Sequence, residues 1–155
     1  IWTLSWKIKL TTMESLSSDK KILALNNLKN IENAILKLKQ RNVSIHSAED
    51  YLSSAEGQEK LDAACMVIEA IGESFKNLDK LTDYKLLPLY PSIEWKAVKG
   101  VRDVIAHRYF DIDAYEIFNI IDNDIDSIYE ATLYFMDILK EWIFPQSLQT
   151  IWFGK

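Results

Sequence analysis

Residues 17–41 read SSDKKILALNNLKNIENAILKLKQR, and this stretch decides the fold. Ile22, Leu25, Leu28, Ile31, Ile35 and Leu38 recur every three or four residues, which is the period of one face of an α-helix and not the two-residue period of a strand. Ser17 or Ser18 stands about a turn before Ile22, the first residue of the stripe, and offers a side-chain oxygen to the free N–H groups of the first turn. The pattern stops near Arg41 and Asn42, so a single long helix is predicted between these limits.

The same reading carries on downstream. Ser47 is placed to cap a short helix over 48–53, and a longer one is predicted from about Glu56 to Leu78, with Leu61, Cys65, Ile68, Ile71 and Phe75 as its apolar stripe. Pro88 and Pro91 bias the residues before them out of helical conformation, so 79–91 is read as a loop. A further helix is predicted from Ser92 or Ile93 to about His107, and a last one from Asp113, as N-cap, to about Trp142, before Pro145. The predicted fold class is all-α, an up-and-down bundle of four long helices and a short one, with no internal repeat or Gly/Ser linker to divide it.

Composition agrees with that class. Of 155 residues, 48% are hydrophobic while glycine and proline number only 4 and 3, a balance suited to packed helices within one domain. The domain is expected over 13–145. Residues 1–12 alternate apolar and polar from Trp2 to Leu10 and are read as an N-terminal extension, and 146–155 as an apolar tail that packs on the bundle or on a second subunit. One cysteine, Cys65, precludes an internal disulfide and is assigned to the core; two distant histidines give no Cys/His metal spacing, so no metal and no cofactor are expected. No apolar run approaches membrane-span length and no signal-peptide core is seen, so a cytoplasmic location is expected.

The net charge of −5 argues against a nonspecific nucleic-acid coat. The distribution is uneven: 19–41 holds six basic and two acidic residues, whereas 111–139 holds eight acidic residues and no basic one. Chemistry concentrates in WKAVKGVRDVIAHRYF, residues 95–110, which gathers basic residues, His107 and Tyr109. On a helix Lys96, Lys99 and Arg102 form a slowly turning basic stripe able to hold phosphates, with Arg108 adding a further cation. Arg102 and His107 lie about 7.5 Å apart along an ideal helix axis and roughly 140° around it.

Arginine and histidine are the groups that RNA cleavage needs: one to stabilise charge on the phosphate, the other to move a proton between the 2′-OH, the protein and the leaving 5′-oxygen. Asp103 can hold the guanidinium or the imidazole, and Glu73, a carboxylate within an apolar helix stripe, can orient Arg102. The plainer alternative has Arg102 paired with a bundle carboxylate, His107 closing the helix and Tyr109 packed with its hydroxyl wet. The bare pattern R-x4-H-x-Y should arise by chance in roughly one of a few hundred chains at average residue usage, so context must decide. Gly72 is read as a close helix–helix approach, and His46 as a loop histidine with no role.

The context is a resemblance. Arg102-Asp-Val-Ile-Ala-His107-Arg-Tyr109 resembles the R-x4-H-x-Y signature of HepT-like toxins in the HEPN superfamily. Ile71-Gly72-Glu73-Ser74 and Pro91-Ser92-Ile93-Glu94-Trp95 are similar to the family's segments upstream of that motif, with Ser74 for a common alanine and Glu94 for a usual proline. The resemblance covers roughly 19–142. It implies a type VII toxin: a homodimer whose facing Arg102 and His107 pairs form one cleft that cleaves RNA without metal. It also implies a minimal nucleotidyltransferase antitoxin that transfers AMP to Tyr109. The alternative within the resemblance is a noncatalytic adaptor that uses the same basic stripe to bind a nucleotide or its nucleotidyltransferase partner.

Overall fold

The computed structural model describes residues 15–108 and 110–143, and these form helices joined by turns and, between Leu81 and Trp95, by a longer connection that carries a 3-10 turn over Leu87–Leu89, with no strand among them. Helix α1 spans Ser18–Arg41, α2 Ala48–Leu52, α3 Ala55–Leu81, α4 Trp95–His107, α5 Ala114–Asn119 and α6 Ile125–Ile143. The all-α bundle expected from the sequence is present. The segments 1–12 and 146–155, to which an extension and a tail were assigned, lie outside the described residues.

Local chemistry sets the helix boundaries. Ser17 caps α1 by accepting a hydrogen bond from the Lys20 N–H at 3.2 Å, and Ser54 caps α3 by accepting from the Gly57 N–H at 2.9 Å. At the start of α2 the Asp50 carboxylate accepts from the backbone N–H groups of His46 and Ser47. Helix α3 runs to Leu81, three residues beyond its predicted end, and the chain then leaves it through Asp83 and Tyr84 at φ 52° and 61°. Helix α4 begins at Trp95 rather than at Ser92 or Ile93, and the Trp95 indole N–H donates to the Tyr90 carbonyl at 2.9 Å.

Two expectations need correction. Ile22 was placed on the buried stripe of α1 but is 46% exposed, whereas Ala24, Leu25, Leu28, Ile31, Ile35 and Leu38 are buried. Three successive steps of three residues from Ile22 to Ile31 turn about 180° around a helix, which carries Ile22 to the side opposite Ile31. The last predicted helix is also interrupted: a π turn over Ile120–Asp124, marked by the Ile125 N–H bonding to the Ile120 carbonyl, separates α5 from α6. Without it, the eight residues from Ile117 to Ile125 would rotate the apolar face by about 80°. The wider turn absorbs one residue and brings Ala114, Ile117, Ile125 and Ile128, all buried, onto a common face.

The core runs between α1, α3 and α6, with Leu28, Ile31, Ile35, Phe75, Leu78 and Phe135 almost wholly buried. Cys65 is buried in it, as expected, and burial pushes its thiol up to about 11, with Asp62 and Glu69 adding to the shift. Helix α4 leans chiefly on α3. A Cβ on Gly72 would stand 2.6 Å from Val101 Cγ1 and 2.8 Å from the Val98 carbonyl oxygen, so glycine is what lets the two helices approach. At the start of α4, Trp95 packs between Phe75 and Phe135, with ring centroids 5.0 and 5.6 Å away.

Candidate active site

Only Ile105 of α4 is fully buried, so this helix presents most of its polar side chains to solvent while Val98 and Val101 pack against α3. Arg102 lies on the flank towards α3, where its Nη1 donates to Glu73 Oε2 at 3.2 Å. Both side chains remain substantially exposed, at 53% and 38%. A partly hydrated pair of this kind orients the guanidinium without hiding it, because solvent weakens the attraction and Arg keeps further N–H donors for a phosphate.

His107 ends the helix with its imidazole exposed. Its Nδ1 lies 2.7 Å from the Asp103 carbonyl oxygen, one turn earlier. A carbonyl can only accept, so Nδ1 carries the proton, which leaves Nε2 as an acceptor in the neutral ring or as a second donor in the cation. Asp103 thus meets the imidazole through its backbone, while its carboxylate is exposed.

The basic stripe divides when the fold forms. Lys99 Nζ lies 2.6 Å from Asp79 Oδ2, and the Asp79 side chain is only 6% exposed. Lys99 is therefore turned towards the end of α3. Lys96 stays exposed beside a mainly apolar groove of about 830 Å³ that runs past Gly100, Val104, Ile120 and Ile125. Arg108 Nη1 is 4.0 Å from Glu116 Oε2 on α5, a loose surface contact. Tyr109 lies outside the described residues. Arg102 and Glu73 are brought together, while the contact made by His107 is to its own helix, at Asp103.

Two contacts near this end of the bundle escape sequence reading. Asp79 gave no signal as a partner for Lys99, because it sits twenty residues away and the predicted helix stopped just short of it. The Tyr115 hydroxyl donates to Glu49 Oε1 at 2.5 Å, tying α5 to α2 behind the motif. This bond holds the Glu49 carboxyl below its ordinary value and the Tyr115 phenol above its own. Among the described residues, no three His, Cys, Asp or Glu side chains converge as a metal site would require.

Fold and surface together make this an all-α bundle with an exposed arginine and an exposed histidine on one helix. The family model described as "Ribonuclease HepT-like" matches residues 31–134, and the chain belongs to that HepT-like family. It is 32% identical over 80 residues to a Thermococcus cleftensis protein named "Probable ribonuclease HepT", covering 52% of this chain and 66% of that relative. It is 38% identical over 68 residues to a Methanocaldococcus jannaschii protein named provisionally as an RNase, covering 41% of this chain and 52% of the relative. The chain thus spans about half to two thirds of the length of these relatives. No solved structure matches it.

Proposed function

We propose that the protein is an endoribonuclease toxin that cleaves RNA by attack of a 2′-OH on the adjacent phosphate. The observation that carries this reading is the state of His107: exposed, with Nδ1 bound to the Asp103 carbonyl so that Nε2 is left for proton transfer, on the same helix as an Arg102 steadied by Glu73. Within a family described as ribonuclease, these are the groups the chemistry asks for.

In the reaction, a neutral imidazole takes the proton from the 2′-OH as the oxygen attacks phosphorus. The bond from phosphorus to the 5′-oxygen breaks, and a protonated imidazole returns a proton to that oxygen, leaving a cyclic phosphate and a free 5′-OH. Arg102 holds the non-bridging oxygens, on which negative charge grows, and Glu73 keeps its fork in place. Each chain offers one histidine at the site, so two copies facing each other supply base and acid together. The groups named perform every proton and charge transfer without calling on a metal ion.

Control falls to Tyr109, two residues past His107. A nucleotidyltransferase antitoxin that joins AMP to this hydroxyl would add negative charge and bulk two residues along the chain from His107, and so compete with an RNA phosphate. The test is incubation of unmodified protein with cellular RNA in EDTA, wild type against His107→Ala, with folding of both checked by circular dichroism. Cleavage by wild type alone, leaving cyclic phosphate ends, supports the reading. Absence of cleavage by the unmodified wild type refutes it and favours the adaptor.

A further inference from the structure

The withdrawal of Lys99 leaves open which groups hold the RNA strand beyond the scissile phosphate. On α3, Glu73, Lys76 and Lys80 are spaced three and four residues apart, so they share one face of the helix and neighbouring side chains stand about 5–6 Å apart at Cβ. Glu73 is the residue that meets Arg102. The face carrying Lys76 and Lys80 therefore begins at the catalytic arginine and extends along α3 for about 10 Å to Lys80, a length comparable with one to two nucleotides of extended strand.

The charges on this flank are unbalanced. Its cations are Lys76, Lys80, Lys99 and Arg102; of its carboxylates, Glu73 and Asp79 are matched with Arg102 and Lys99, and Glu69 stands a turn before Glu73, at the end of the face away from Lys76 and Lys80. Lys76 and Lys80 are both exposed, and neither forms an ion pair among the described residues. The neighbouring Asp83 is matched with Lys20, and Lys85 donates to Ser15. The surplus of positive charge next to Arg102 thus rests on two lysines at a spacing suited to successive phosphates.

We propose that Lys76 and Lys80 form a backbone-binding track for single-stranded RNA, continuing from Arg102 along α3. This builds on the ribonuclease reading by naming where the strand lies and which groups hold it. The contacts are to phosphates, so they confer affinity and direction and leave base sequence unread.

Binding is measured by fluorescence anisotropy with a fluorescein-labelled oligouridylate, in a His107→Ala background so that the probe survives. The background chain is compared with the same chain carrying Lys76→Gln and Lys80→Gln across a salt series. Loss of two phosphate contacts should weaken binding at low salt and flatten the slope of log K against log salt by about 1.4, at roughly 0.7 per contact for a single strand. Lys29→Gln with Lys37→Gln, which removes equal charge from the exposed face of α1, should leave the slope unchanged. With His107 intact, the α3 double variant should raise KM and keep kcat.

An unchanged slope in the α3 variant, or an equal loss in the α1 variant, overturns the track. If wild type cleaves RNA while the α3 variant binds and cleaves as wild type does, the track fails and the ribonuclease reading stands. If the chain binds through these lysines yet never cleaves, the track stands and the ribonuclease reading fails. A chain that neither binds nor cleaves refutes both.

Discussion

Replacing Lys99 by Met removes the partner of a carboxylate that the fold has already taken from water. Asp79 is 6% exposed at its side chain and Lys99 is 31% exposed, with 2.6 Å between their charged atoms. Breaking a fully buried pair by deleting one member costs about 3–5 kcal/mol, because a charge is left unmatched. Here the lysine is almost a third exposed, so water can reach the site, and a loss of about 2–3 kcal/mol is expected once solvent screening is allowed for. The variant with both Lys99→Met and Asp79→Leu has no orphaned charge and should recover most of that loss, since apolar replacement of a buried pair is often neutral or better. Urea denaturation of wild type, each single variant and the double variant at one pH gives the cycle. A double variant no more stable than Lys99→Met would show that the cost did not come from the stranded Asp79 carboxylate, and the reasoning would fail.

Gly72→Ala should lower stability by about 1–2 kcal/mol, the cost of overpacking against Val98 and Val101 exceeding the gain in helix propensity; thermal denaturation reads the difference, and an unchanged or raised Tm would contradict the close approach. Tyr115→Phe should destabilise the chain at neutral pH and matter less at either extreme. Glu49 titrates lower in the folded chain, so its stabilisation is in place above its ordinary value of 4.5 and fades as pH falls through the lowered one. Tyr115 titrates higher, so its share is in place below 10.0 and fades as pH rises through the raised value; denaturation of both proteins across pH checks the window. Cys65, buried and with its thiol pushed up to about 11, should resist a thiol reagent at pH 8 in the native state and react fully in denaturant. Glu73→Gln should cut the rate of RNA cleavage more than it changes stability, because it frees Arg102 from its exposed partner, and a cleavage assay beside a melting curve separates the two.

How legible the fold was depended on how local its causes are. Ser17 and Asp113 cap helices through atoms within three residues, and the stripe from Leu61 to Phe75 needs only helix periodicity, so both could be read directly. Ile22 misled because a run of three-residue steps resembles a stripe while turning away from it. The π turn could not be read, since Ile117 and Ile125 reveal their common face only when both meet the same core. At the site, the pattern of Arg102 and His107 was plain in the sequence, but Lys99 was not, because its direction is set by Asp79 across two helices. The roles of Lys76 and Lys80 were hidden for the same reason: two surface lysines gain meaning only when Glu73 is seen beside Arg102.

The π turn at Ile120–Asp124 is, in effect, one amino acid too many within an otherwise regular rod. Deleting Asp122 would let the rod close into ordinary α-helix while Ile117 and Ile125 kept facing inward. A loss of one residue elsewhere in α5 or α6 would swing every later side chain by about 100°. Length changes in this half of the protein should therefore be accepted at one place, and descendants of a common ancestor can differ there by a single residue without repacking their interior.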